Sequence, residues 1–281
     1  MIQPRFSLVP VMDHEIHVTE WGNPANTPLV MWHGLARTGR DFDELAQGLS
    51  DEFFVICPDT IGRGLSSWSK NPEAEYCIEY YSGIAVDLLD HYEIEQAAWI
   101  GTSMGGLIGM RMASGPLAKR LSGLIINDIG PEVPQSAIQR ILEYAGSSPE
   151  FATVSKAEEW LRAAYVPFGP ASDAFWTRMA RTSVRRMENG AFTTHYDPKI
   201  IIQFVASADE LTTWDRFAQI ALPTHVFRGL SSDLLTDPIF ARMVATLPGL
   251  GVTEMPDCGH APSLSRPADI EAVRAILRDM L

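Results

Sequence analysis

Gly101-Thr102-Ser103-Met104-Gly105-Gly106 decides how this chain folds. The apolar run Ala97-Ala98-Trp99-Ile100 precedes it, and Leu107-Ile108-Gly109-Met110-Arg111-Met112-Ala113 follows. That order reads as a strand, a sharp turn and a helix, with a serine at the tip. Small residues flank the serine because a tight strand-to-helix turn has no room for larger side chains. The helix points its N-terminal N–H groups at the serine, where they can stabilise negative charge. A bare G-x-S-x-G also fits an ordinary glycine turn with a surface serine. The strand before it and the helix after it favour a nucleophile.

Working outward, residues 5–11 and 14–20 read as two strands joined at Met12-Asp13. Leu29-Val30-Met31-Trp32 is a short apolar run ending at His33-Gly34, a buried strand opening into a loop. A helical pattern covers Asp41 to Leu49, Phe53-Phe54-Val55-Ile56-Cys57 is another buried strand, and 75–92 is an amphipathic helix. Leu124-Ile125-Ile126 is the strand after the serine turn, ending at Asn127-Asp128. Strands alternating with helices imply a mostly parallel sheet covered on both faces. From 132 to 210 the pattern becomes helices broken by turns, with no buried strand and with aromatics such as Trp160, Tyr165, Phe168, Phe175 and Trp176. Strand character resumes at 224–229 and 252–255, and 267–281 is a closing helix. The expected division is a core of 1–131 and 211–281 with a helical insertion at 132–210.

Composition narrows the function classes. A chain of 281 residues, 46% hydrophobic and 20% charged, is ordinary for a globular α/β protein. Its net charge of −13 argues against nucleic-acid partners, where phosphate neutralisation dominates, and against anionic membrane surfaces. Three cysteines, Cys57, Cys77 and Cys258, do not suggest a disulfide framework. Met1-Ile2-Gln3-Pro4-Arg5-Phe6 lacks the apolar core of a signal peptide, and no apolar run is long enough for a bilayer. A cytoplasmic location is the expectation.

A serine hydroxyl needs a base to attack at neutral pH, and that base needs a carboxylate to fix its tautomer. Of the seven histidines, His260 stands out, in the loop Pro256-Asp257-Cys258-Gly259-His260-Ala261-Pro262 after the last strand. His33 also ends a strand, but its neighbour Gly34 suggests a backbone role. For the acid, Asp233 follows the strand 224–229 and gives the order Ser103, Asp233, His260 expected of such an architecture. Asp128, at the end of the strand after the nucleophile, is the rival that sequence cannot exclude. The N–H groups of Met104 and Leu35 are the candidate oxyanion donors. No H-e-x-x-H or C-x-x-C pattern is present, so neither a catalytic metal nor a cofactor is expected. Asp59-Thr60-Ile61-Gly62-Arg63-Gly64-Leu65-Ser66 lacks the Lys-Ser/Thr ending of a phosphate loop and reads as a tight structural loop.

Taken together, the chain resembles the α/β-hydrolase fold superfamily. The matching pieces are His33-Gly34, Asp59-x-x-Gly62-x-Gly64-x-Ser66, Gly101-x-Ser103-x-Gly105-Gly106, Asn127-Asp128-Ile129-Gly130-Pro131, Arg228-Gly229 with Asp233, and Gly259-His260-Ala261-Pro262. They span nearly the whole chain in the family's order. The resemblance implies a mostly parallel, doubly wound eight-stranded sheet, with 132–210 as a helical cap over the substrate. It implies Ser103 as nucleophile, Asp233 as acid and His260 as base. Ser265 departs from the glutamate that many relatives carry shortly after the histidine. A serine at position 103 argues against the relatives that use aspartate there, the haloalkane dehalogenases and epoxide hydrolases.

The expected activity is cleavage of a small ester or lactone through an acyl-enzyme, in a pocket made mostly apolar by the insertion's aromatics. Those aromatics equally fit a small core of the insertion itself. A carbon–carbon bond hydrolase is the second reading, with Arg111, Arg181, Arg185 and Arg186 as candidate partners for a substrate carboxylate. A small-ligand receptor on the same fold is the third. The only partner expected is a small-molecule substrate.

Overall fold

The computed structural model describes residues 3–281. The first two residues of the segment 1–131 lie outside them. Eight strands form one sheet in the order β1-β2-β4-β3-β5-β6-β10-β11. These are β1 (Arg5–Val11), β2 (His14–Trp21), β3 (Thr27–Trp32), β4 (Phe53–Pro58), β5 (Ala97–Thr102), β6 (Leu121–Asn127), β10 (Thr224–Gly229) and β11 (Gly251–Met255). The first two run antiparallel to their neighbours, and the rest pair in parallel.

The central strands are apolar on both sides because helices cover both faces. Alternate residues sort into two cores, as the period of two requires. Val30, Trp32, Trp99, Leu124 and Ile126 pack on the face covered by α3 (Ile78–His91) and α4 (Met104–Met112). Leu29, Met31, Ala98, Ile100 and Ile125 pack on the other, against α1 (Asp43–Leu49) and α11 (Pro267–Met280). Trp32 and Trp99 stack with centroids 5.3 Å apart across β3 and β5.

Two elements differ from the sequence reading. The helix expected over 75–92 is split into α2 (Pro72–Glu75) and α3. The break falls at Tyr76, which is fully buried and donates its hydroxyl to Asp197 at 2.9 Å. The Glu210 carboxylate accepts from Ile78 N and Glu79 N, which starts α3 afresh. The segment between β6 and β10 also holds strands. There, β7 (Glu150–Phe151), β8 (Val184–Arg186) and β9 (Phe192–Thr194) form an antiparallel sheet ordered β7-β9-β8. Strands of two or three residues are too short to show alternation. The same segment carries α5 (Gln135–Ala145), α6 (Val154–Ala164), α7 (Asp173–Ser183), α8 (Gln203–Ala206) and α9 (Trp214–Phe217). Between β10 and β11 lies α10 (Asp237–Thr246).

Strand register sets where the loops emerge. Trp32 pairs with Gly101, Thr102 with Asn127, and Asn127 with Phe227. The chain therefore leaves β3, β5, β6 and β10 at one edge of the sheet, at Gly34, Ser103, Asp128 and Gly229. In open α/β sheets, ligands bind at this carboxyl edge. Among the described residues, no helix is long and apolar enough to cross a membrane.

Candidate active site

The turn carrying Ser103 is built by glycines. A Cβ on Gly101 would overlap the Gly105 carbonyl, and one on Gly105 would overlap the Trp32 carbonyl. This close passage drives Ser103 to φ 53°, ψ −116°, a conformation that costs a non-glycine residue roughly 1–3 kcal/mol. The Ser103 N–H donates to Asn127 O at 3.0 Å, which ties the turn to β6. The serine is thereby held out at the tip, with α4 starting immediately after it.

Ser103 Oγ lies 2.9 Å from His260 Nε2. The other ring nitrogen, Nδ1, lies 2.9 Å from Asp128 Oδ2. Nδ1 also lies 2.9 Å from the Asp128 backbone carbonyl, which can only accept, so Nδ1 carries the proton and Nε2 faces the serine hydroxyl with its lone pair. Asp128 is completely buried. Its Oδ1 accepts from Gly229 N at 2.7 Å, and its Oδ2 also accepts from Ser232 Oγ at 2.6 Å. The three donors hold it fixed.

The structure thus brings Ser103 and His260 together and joins them to Asp128, not to Asp233. After β10 the chain turns tightly, with Ser232 N donating to Gly229 O at 3.0 Å. That turn points Ser232 at Asp128 and sends Asp233 outward. Asp233 is 47% exposed and forms a two-pronged ion pair with Arg140 of α5, at 2.6 and 2.9 Å. It does not touch His260. The sequence signal for Asp128 was its place directly after β6, one strand from the serine.

Leu35 follows the Gly34 bend, and Met104 opens α4. Gly34 is close to the nucleophile: a Cβ there would sit 3.6 Å from Ser103 Cβ. Two buried side chains brace this loop, and sequence reasoning credited neither. His33 works through its ring rather than its backbone. Its Nε2 accepts from Thr60 N at 2.9 Å, so Nδ1 carries the proton and donates to Gly34 O at 2.6 Å. Burial lowers its pKa from 6.5 to about 4, keeping it neutral. Arg63, fully buried, donates to Leu35 O at 2.8 Å, to Ile61 O at 2.7 Å and to the Tyr81 hydroxyl at 2.8 Å, and it touches Met104 Sδ at 3.4 Å. None of these partners is a carboxylate. The loop 59–66, which carries Thr60 and Arg63, is thus the support beneath Leu35 and Met104.

Ser103 and His260 open into a cavity of about 230 Å³ between the sheet edge and the segment after β6. Tyr144, Tyr165, Phe168 and Phe175 line it from that segment, and Tyr165, Phe168 and Phe175 also pack with Trp160 and Trp176 in a small core of the segment itself. Both uses of the aromatics are therefore realised, and Tyr165, Phe168 and Phe175 serve both at once. Arg37 and Arg140 also line the cavity. Arg37 is engaged by Asp41 at 2.6 and 2.7 Å, as Arg140 is by Asp233. Arg111, Arg181, Arg185 and Arg186 are not among its lining residues, and Arg111 pairs with Glu79 at 2.7 Å. Among the described residues, no cluster of three or more histidine, cysteine or acidic side chains could hold a metal.

Residues 29–273 match the family model described as the alpha/beta hydrolase family. A 3-hydroxybutyrate-oligomer hydrolase of Cupriavidus necator is 37% identical over 267 residues, covering 92% of this chain and 90% of its own length. A 3-oxoadipate enol-lactonase of Acinetobacter baylyi is 38% identical over 93 residues, 33% of this chain and 30% of its own. Among solved structures, an alpha/beta hydrolase from Novosphingobium aromaticivorans superposes with a TM-score of 0.82 at 30% identity, over 99% of this chain and 98% of that one.

Proposed function

This chain belongs to the alpha/beta hydrolase family and is a hydrolase, and we propose that it cleaves short carboxylic esters through an acyl intermediate on Ser103. The observation that carries the reading is the unbroken chain of hydrogen bonds from Asp128 through His260 to Ser103. In this reading Ser103 gives its proton to His260 Nε2 as its oxygen attacks the ester carbonyl. Asp128 stabilises the imidazolium so formed. The N–H groups of Leu35 and Met104 receive the developing oxyanion, where fixed donors contribute most. His260 then protonates the departing alcohol, and a water activated by the same ring releases the acid. No metal or cofactor enters any step. Residues 132–210 act as a cap that closes the substrate cavity over the sheet edge.

The substrate we infer is a linear ester of a short hydroxy acid. The relative of similar length is named for 3-hydroxybutyrate oligomers, and the match extends over nearly all of both chains. An apolar cavity with a few polar groups suits such a chain. A carbon–carbon bond hydrolase would use a free cation for its substrate carboxylate, and both arginines in this cavity already hold aspartates.

The test is a matched pair of proteins. Wild type should release acid from a 3-hydroxybutyrate dimer and from p-nitrophenyl butyrate, and should be labelled by a fluorophosphonate. Ser103→Ala should do neither, with an unchanged circular dichroism spectrum. Turnover by the alanine variant at the wild-type rate would remove Ser103 from the mechanism. A folded wild type that neither reacts nor labels would point to a binding protein instead.

A further inference from the structure

Ser103 is shared by two cavities. Besides the larger one, it lines a recess of about 30 Å³ on the far side of Leu35 and Ile141. Ile78, Leu107, Ile129, Val133 and Leu234 make this recess apolar. Its size suits the end of a short acyl group. Its polar wall comes from the segment 203–210.

Gln203, at the start of α8, is one of those lining residues and is only 5% exposed. Its side-chain Oε1 is buried and accepts no hydrogen bond among the described residues. Glu210, close by on the same wall, is by contrast fully engaged by two backbone N–H groups of α3. Buried amide oxygens are almost always paired, and an unpaired one is costly. An unpaired amide oxygen on the wall of a largely apolar recess beside a nucleophile is therefore a place for a donor brought by the substrate.

We propose that Gln203 reads a free hydroxyl on the acyl side of the scissile ester, so that the enzyme prefers hydroxyacyl over plain acyl esters. The inference rests on the ester-hydrolase reading above. In an oligomer of a 3-hydroxy acid, one end carries a free hydroxyl and the other a free carboxylate. Seating the hydroxyl end in the small recess leaves the rest of the oligomer to the larger cavity. Cleavage then removes one unit at a time from the hydroxyl end. A substrate lacking the hydroxyl leaves the amide oxygen unpaired in the complex, and sites built in this way discriminate strongly against such analogues.

The experiment compares kcat/KM for the 3-hydroxybutyryl and butyryl esters of one alcohol. Wild type should prefer the hydroxyacyl ester by about tenfold to a hundredfold. In Gln203→Leu that ratio should fall to within about twofold of unity, whatever the absolute rates. Gln203→Glu, which keeps an acceptor, should retain a preference and guards against a leucine variant that fails to fold. A second readout does not need turnover: Ser103→Ala protein titrated calorimetrically with 3-hydroxybutyrate and with butyrate. The hydroxy acid should bind more tightly, and adding Gln203→Leu should erase the difference. A hydroxyacyl preference that survives Gln203→Leu, or a wild type with no preference, overturns the role of Gln203. If wild type hydrolyses no ester at all, the ester-hydrolase reading falls, and the titration still decides whether Gln203 recognises the hydroxyl.

Discussion

Replacing Asp128 by asparagine keeps the size of the side chain and removes its charge. The amide oxygen can still accept from Gly229 N, and Ser232 can rotate to accept from the new NH₂. The same NH₂ then faces His260 Nδ1 and competes with the Asp128 backbone carbonyl, 2.9 Å from it, so that, to meet the amide, Nδ1 turns acceptor. Its proton moves to Nε2, and Nε2–H now points at Ser103 and cannot act as a base. The lost charge adds to this. A carboxylate about 4 Å from the centre of an imidazolium stabilises it by roughly 4 kcal/mol at an effective dielectric of about 20. That alone is about a thousandfold in rate, and with the wrong tautomer the expected fall in kcat is about 10³–10⁴. Asp233→Asn is the matched comparison. It breaks an exposed ion pair worth at most about 1 kcal/mol, so kcat should stay within about threefold of wild type. Both variants are assayed on p-nitrophenyl butyrate at neutral pH, with active sites counted by fluorophosphonate. The reasoning is refuted if Asp233→Asn shows the thousandfold loss while Asp128→Asn retains most of its activity.

Acid should destabilise the fold through His33. Its folded pKa of about 4 lies below the unfolded value of 6.5, so the unfolded chain takes up a proton first as pH falls. Stability should drop from pH 6.5 downward and level off near pH 4, by roughly 3 kcal/mol in all. Urea unfolding across that window should show the slope, and His33→Asn, less stable at neutral pH, should flatten it. Arg63→Met leaves the carbonyls of Leu35 and Ile61 and the Tyr81 hydroxyl without a donor. It should lower stability by roughly 3 kcal/mol and reduce kcat more than it raises KM, because the loosened loop carries a proposed oxyanion donor. Thermal melts and steady-state kinetics on the same preparation check both halves.

The sheet was legible because its central strands are buried on both faces. Runs such as Leu29-Val30-Met31-Trp32 and Phe53-Phe54-Val55-Ile56-Cys57 leave no other reading once turns bound them. Ser103 was legible because the steric demands of its turn are written as glycines. His260 was legible from its place after the last strand. Residues that act by reaching across the fold were not. His33 and Arg63 are neighbours in space through Thr60 and Leu35, but 30 positions separate them in sequence, and nothing local marks either ring or guanidinium as a brace. The short strands β7, β8 and β9 escaped because their pairing, not their composition, makes them strands. Gln203 gave no signal at all, since its meaning lies in the missing partner.

The choice between Asp128 and Asp233 turned on a feature that order along the chain does not record. Both residues follow strands that end at the same edge, and the loop after β10 does reach the histidine's carboxylate. It does so with the Gly229 N–H and the Ser232 hydroxyl, as donors to Asp128. A carboxylate that must stabilise a transient imidazolium is effective only where water does not screen it. Asp128 meets that condition, being wholly buried with a neutral donor on each side. Asp233 does not, because half its surface is wet and its charge is already matched by Arg140. Burial of the acid requires a position flush with the strand end, and Asp128 directly follows Asn127, the last residue of β6. Asp233 lies four residues beyond Gly229, past a turn that has already carried the chain outward to the surface.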